Sequence, residues 1–188
     1  VQYLYLPLME PREILNHRHL QLTVERLCYQ LIENHGNFDH SVLIGLQPRG
    51  VVFSKIIYEK LKELEIDFSG EYGVLDASMY RDDFRRRSKP IEIQNTDLDF
   101  SIEGKKVVLI DDVLYTGRSI RAALDALMDF GRPSMVEFLV LIDRRFSRQI
   151  PIKADYVGRI VDVVASERVR VVWEKSQGSV ILDKAADS

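Results

Sequence analysis

Apolar positions in this chain change their period from segment to segment, and each change marks an element. Between residues 10 and 35, Ile14, Leu20, Leu22, Val24, Leu27, Leu31 and Ile32 recur near helical spacing, which predicts a helix that Gly36 caps. SVLIGL (41–46) is a continuous apolar run of strand length, and VVFSKIIYEKLKEL (51–64) returns to an amphipathic helical pattern. YGVLDASMY (72–80) predicts a strand, and the polar stretch 81–97 predicts an exposed loop or ribbon. From 99 to 112 the pattern reads as a short strand, a turn at Glu103-Gly104, and a buried strand over 106–110. A helix follows over 118–130, with Ile120, Ala123, Leu124 and Leu127 on one face and Gly131-Arg132-Pro133 closing it. SMVEFLVLID (134–143) is a second buried strand, and 154–164, 169–175 and 179–184 predict short strands. Alternating strands and helices, with strands apolar throughout, predict a doubly wound α/β domain on a mainly parallel sheet.

The 188 residues suit a single domain over 1–188, and no repeat, low-complexity segment or linker divides them. A hydrophobic content of 46% with 29% charged residues is that of a soluble globular protein. No apolar run approaches the roughly 20 residues of a membrane span, and the start shows no signal-peptide pattern, so no membrane association is expected. Cys28 is the single cysteine, which excludes an intramolecular disulfide and fits a reducing, cytoplasmic setting. A net charge of −3 argues against wholesale binding to a nucleic-acid backbone. It leaves room for local basic patches: Arg81, Arg85, Arg86, Arg87 and Lys89 form one cluster, and Arg144, Arg145, Arg148 and Lys153 another. Taken alone, each reads as a solvated loop. His17, His19, His35 and His40 lack metal-site spacing and are expected on the surface or in loops.

The chemistry concentrates in DDVLYTG (111–117). Two adjacent carboxylates end a buried strand, and a Thr-Gly turn then opens a helix near Arg118. In open α/β sheets ligands bind beyond the carboxyl ends of strands. A helix N-terminus attracts anions, because its first N–H groups lack partners and its dipole favours negative charge. Thr116 and Ser119 add hydroxyls. Carboxylates would repel a phosphate, so Asp111 and Asp112 must grip something else on the same ligand: sugar hydroxyls or Mg2+. A phosphorylated ribose satisfies both halves. Helix capping could explain one aspartate but explains two adjacent ones poorly, and neither a P-loop nor a G-x-G-x-x-G fingerprint is present.

VVLIDDVLYTGRS (107–119) resembles the signature of type I phosphoribosyltransferases. GLQPRG, YRDD, RAALDAL, GRP, LIDR, PIKADYVG and SERV extend the likeness over roughly residues 10–173. They do so in the order of the PyrR-type branch, pyrimidine operon regulators that are also uracil phosphoribosyltransferases. The resemblance implies that branch's fold, a sheet with flanking helices plus a small hood, and a homodimer or higher homo-oligomer. It also implies transfer of ribose 5-phosphate from phosphoribosyl pyrophosphate (PRPP) to uracil, giving UMP and pyrophosphate. By that likeness Asp111 and Asp112 hold the ribose hydroxyls directly or through Mg2+. Tyr115, Thr116, Gly117, Arg118 and Ser119 cradle the 5′-phosphate, and Gln47, Pro48, Arg49 and Gly50 form the pyrophosphate loop. Arg81 is assigned to pyrophosphate within a loop that closes over the site, where Asp82 and Asp83 order the loop and the 85–87 arginines carry no role. Tyr156, Val157 and Gly158 read the base edge, chiefly through backbone groups. Purine-using relatives tend to carry a carboxylate where this chain has Tyr115, and an acidic pyrimidine N–H has less need of a strong base. Relatives read Asp-Arg-Gly-His-Arg where this chain has Asp143-Arg144-Arg145-Phe146-Ser147-Arg148, and it also departs at 160–165. Two alternatives stay open: a phosphoribosyltransferase for another base, or a UMP-sensing binder of leader RNA with little catalysis. The second would use Arg12, Arg18, Arg26, Arg144, Arg148 and Lys153.

Overall fold

A computed structural model describes residues 11–82, 94–164, 166–174 and 177–184. Five parallel strands form the centre: β2 (Ser41–Leu46), β3 (Glu71–Leu75), β4 (Lys106–Leu114), β5 (Met135–Arg145) and β6 (Tyr156–Asp162), in spatial order β3-β2-β4-β5-β6. Helices α1 (His17–His35) and α2 (Gly50–Leu64) cover one face and α3 (Arg118–Leu127) the other. Both faces are therefore buried, which is why β2 is apolar throughout rather than alternating. Leu43, Val108, Ile110, Leu139 and Leu141 pack toward α1 and α2, while Val42, Ile44, Val107, Leu109 and Val140 pack toward α3. A second, antiparallel sheet, β1-β8-β7, joins β1 (Arg12–Leu15), β7 (Glu167–Glu174) and β8 (Gln177–Lys184) and packs Val169, Val180 and Leu182 against the α1 side. This is the expected doubly wound architecture with its small additional sheet.

Four boundaries differ from expectation, each for a local reason. Residues 12–15 are strand rather than helix, because Asn16 caps α1: its side chain accepts from the His19 N–H at 2.9 Å. β1 ahead of that cap pairs with β8. β3 ends at Leu75, where its partner β2 ends, and Asp76 then accepts from the backbone N–H of Ser78 (2.8 Å) and Gln94 (2.6 Å) to start a turn. The short strand expected near 99–102 reduces to one bridge between Val74 and Asp97, while Ile102 is buried in the core. β4 runs four residues beyond its expected end because Val113 and Leu114 pair with Ile142 and Asp143. The two aspartates therefore sit inside a strand, on a rigid backbone.

Counting the five parallel strands in chain order, the sheet reads second-first-third-fourth-fifth. The chain turns outward in opposite directions from β2 and β4, and the crevice between their carboxyl ends is the topological switch point. The residues that follow β2 and those that end β4 line it.

Candidate active site

β2 delivers Gln47, Pro48, Arg49 and Gly50 to the crevice. The Gln47 N–H donates to the Leu75 carbonyl (2.9 Å) and its side chain to the Asn95 carbonyl (3.3 Å), which ties the loop to β3 and its neighbour. Gly50 opens α2 against the end of β4: a β-carbon there would lie 2.6 Å from the Ile110 carbonyl oxygen and 2.9 Å from the Asp111 α-carbon. Only glycine lets the helix start this close to the carboxylates. Arg49 is exposed beside them, without a hydrogen bond or ion pair among the described residues.

Asp112 is 8% exposed, and its N–H donates to Asp111 Oδ1 at 2.9 Å. Burial, reinforced by the neighbouring Asp112 charge, pushes the Asp111 carboxyl well above the usual range; Arg49 opposes this. Burial also raises Asp112, against a hydrogen bond from Asp111 and the Arg49 charge. Asp112 is buried and Asp111 half-buried, and neither carboxylate has a salt-bridge partner among the described residues. No group of three or more potential protein ligands is present among those residues. A Mg2+ ion fits such a site by keeping waters and taking further oxygens from a phosphorylated ligand.

Across the crevice, Gly117 caps α3 at φ 90° and presents the N–H groups of the first turn outward. The Thr116 carbonyl accepts from the N–H groups of Gln149 (3.0 Å) and Ile150 (3.2 Å), so the β5–β6 connection pins this turn. Arg118 donates to Gln149 Oε1 (2.7 Å) and pairs with Asp82, and Arg81 donates to Ser119 Oγ at 3.0 Å. Arg81 therefore stands at the N-terminus of α3. Asp83, Arg85, Arg86, Arg87 and Lys89 lie outside the described residues.

Tyr115 projects from the same turn, exposed, with the Arg144 guanidinium 4.1 Å from its ring centroid. Arg144 is buried rather than solvated and donates to the Glu167 carbonyl at 3.1 Å; burial lowers its affinity for its proton. Arg148 is likewise internal: it pairs with Asp143 and donates to the carbonyls of Leu114, Tyr115, Arg144 and Ile152. The sequence placed both arginines in a basic cluster but held no signal that their partners would be backbone carbonyls from another strand.

Tyr156, like Val157 and Gly158, is expected to meet the base chiefly through its backbone. Its side chain is buried toward α1, accepting from Asn34 Nδ2 (2.9 Å) beside His35 (3.3 Å) and Glu137 (3.3 Å), and burial pushes its hydroxyl up to about 12. Only its backbone is left to meet a ligand. His35, expected at the surface, has a buried ring that bonds Glu137 and Ser41 at 2.8 Å each. Arg26 binds the carbonyls of Val157 (3.2 Å) and Gly158 (2.6 Å). A β-carbon on Gly158 would fall 2.4 Å from the Leu141 carbonyl, so close packing against β5, not a bulge, requires that glycine.

A parallel sheet whose switch point joins paired carboxylates to a helix N-terminus is the frame of an enzyme that handles sugar phosphates. The phosphoribosyl transferase domain profile matches residues 12–172, and the chain belongs to the type I phosphoribosyltransferase family. It is 40% identical over 171 residues to the bifunctional protein PyrR of Enterococcus faecalis, covering 91% of this chain and 94% of the relative. It is 45% identical over 164 residues to the bifunctional protein PyrR of Acetivibrio thermocellus, covering 87% and 88%. A hypoxanthine phosphoribosyltransferase from Staphylococcus aureus shares the fold, with TM-score 0.63 and 23% identity over 80% of this chain and 77% of that one.

Proposed function

We propose that this protein is a PyrR-like enzyme transferring ribose 5-phosphate from PRPP to uracil, which yields UMP and pyrophosphate. The observation that carries the reading is the adjacent Asp111-Asp112 pair at the switch point, half-buried and buried respectively, flanked by the open N-terminus of α3 and by Arg49. Asp111 and Asp112 orient the ribose through its hydroxyls, and the turn from Tyr115 to Ser119 receives the 5′-phosphate. Arg49 meets the departing pyrophosphate as the bond from C1′ to its oxygen breaks and the bond from C1′ to N1 of uracil forms. Bound Mg2+ at the aspartates supplies electrostatic stabilisation of that leaving group. Tyr115, standing where purine-using relatives tend to carry a carboxylate, suits a base whose N1 proton is acidic enough to leave without a strong base. The likeness to bifunctional PyrR proteins at 40–45% identity supports uracil as acceptor. Turnover of PRPP with uracil, orotate and the purines in competition tests it: UMP is the expected product, and no UMP under any Mg2+ concentration overturns it.

The second reading, leader-RNA binding sensed through UMP, rests on the same relatives and on exposed Arg12, Arg18 and Lys153 beside the α1 residue Arg26. Arg144 and Arg148 contribute to it only indirectly, since both are engaged within the chain. Filter binding to a pyrimidine-operon leader, with and without UMP, checks this: tighter binding with UMP that weakens with salt is expected. No helix among the described residues is long and apolar enough to cross a membrane, and the family likeness makes a cytoplasmic homodimer or higher homo-oligomer the expected form.

A further inference from the structure

A cavity of about 580 Å³ opens beside the phosphate turn, lined by Tyr115, Phe146, Arg148, Gln149, Asp162 and Val164 among others. Its size is that of a small-ligand pocket. Tyr115 joins it directly to the crevice, since Thr116 and Gly117 are the next residues of the turn. Phe146 is the anomaly of its wall. The residue is 84% exposed and adopts φ 63°, a left-handed conformation that costs a bulky side chain about 1–2 kcal/mol. Nothing about the loop's stability asks for an aromatic ring there, and glycine would hold the same backbone without strain.

The ring is nevertheless supported. The Arg145 guanidinium lies 5.5 Å from its centroid, and Arg145 is itself fixed by two hydrogen bonds to Asp162, at 2.6 and 2.8 Å. Tyr115 carries the same device, with Arg144 behind its ring. Two aromatic rings, each backed by an arginine anchored elsewhere, thus line one cavity next to a phosphate turn. An arginine behind a ring holds it in place through cation–π attraction and leaves the rest of its surface for another planar partner.

We infer that Phe146 is the stacking platform for the base of the nucleotide, a specificity residue that this chain draws from the segment where it departs from the family pattern. The inference rests on the proposed phosphoribosyl transfer, because it requires the crevice to hold the ribose phosphate to which the base is attached. Stacking is insensitive to hydrogen-bond pattern, so Phe146 selects for a flat ring, and the polar groups around it select which ring.

Isothermal titration of the full chain with UMP and with ribose 5-phosphate, which lacks the base, separates the two readings. Phe146→Ala is expected to weaken UMP roughly tenfold and leave ribose 5-phosphate unchanged. Phe146→Tyr should retain wild-type UMP affinity. Phe146→Gly should lose UMP affinity as Phe146→Ala does, with a Tm no lower than wild type because the left-handed strain is relieved. In turnover, the KM for uracil should rise in Phe146→Ala while that for PRPP holds. Unchanged UMP affinity in Phe146→Ala, or equal weakening of both ligands, overturns the platform and leaves the ribose-phosphate site standing. Failure of the wild type to bind either ligand overturns both readings together.

Discussion

The crevice and the cavity beside it treat charge in opposite ways. In the crevice, Asp111 and Asp112 lie against each other with Arg49 near but not bonded. Around the cavity the arginines have partners inside the chain: Arg148 has Asp143 and four carbonyls, Arg145 has Asp162, and Arg144 has the Tyr115 ring and the Glu167 carbonyl, with only its Nε buried without a hydrogen bond. A buried charge without a partner is costly, and a fold keeps such a pair where a ligand completes it. Side chains held by such contacts make a fixed surface, suited to an uncharged ring. The contrast separates the region proposed to take metal and phosphate, where charge is left unmatched, from one that offers chiefly shape.

Breaking the crevice should have the largest effect. Asp112→Asn keeps the shape and removes one charge; turnover should fall about a hundredfold or more, while the Tm of the ligand-free protein does not drop. A variant with near-normal kcat would show that the pair does not serve transfer. Gly50→Ala attacks the same region sterically, since the added carbon meets backbone at 2.6 Å. It should cost about 1–3 kcal/mol in urea unfolding and lower turnover as well.

Breaking the cavity wall should act on stability as much as on binding. Arg148→Met leaves Asp143 without its cation and four carbonyls without a donor, and should destabilise by about 2–4 kcal/mol. The KM for both substrates should rise, because the Tyr115–Thr116 turn loses its anchor. A shift in the KM for uracil alone would mean that Arg148 touches the base instead.

The charge contrast also has a pH signature. Folding raises the carboxyls of Asp111 and Asp112, so the folded chain keeps protons that the unfolded chain releases from about pH 4 upward. The pair's contribution to stability is fully present below that range and is lost as pH rises through the raised values. In Asp111→Asn the fall in Tm over this window should flatten, and parallel Tm profiles would refute the unpartnered state of the carboxylates. The smallest effect is expected at Asp82, whose pairing with Arg118 is largely solvent-exposed. Asp82→Asn should tighten PRPP binding by about twofold to threefold, measured by titration.

Much of this protein is decided by local pattern. The continuous apolar runs, the helical periods and the placement of Gly36 and Gly131 specified a parallel sheet between helices, because two-sided burial and helix termination are written in nearby residues. Adjacent carboxylates followed by Thr-Gly pointed to a sugar-phosphate clamp from seven consecutive positions, and those positions end β4 and open α3 at the switch point. The three-dimensional arrangement decided the remainder. Whether an arginine is solvated or buried depends on carbonyls supplied by distant strands, as Arg144 and Arg148 show, and no spacing rule carries that information. Tyr156 sends its side chain to the α1 side of the sheet, where Asn34 and His35 of that helix meet its hydroxyl. The switch point itself exists only once β4 inserts between β2 and β5, which brings Gly50 against Asp111 across some 60 residues of chain. Local sequence therefore supplied the groups proposed to meet the ligand's charges, and long-range packing decided which surface stands beside them.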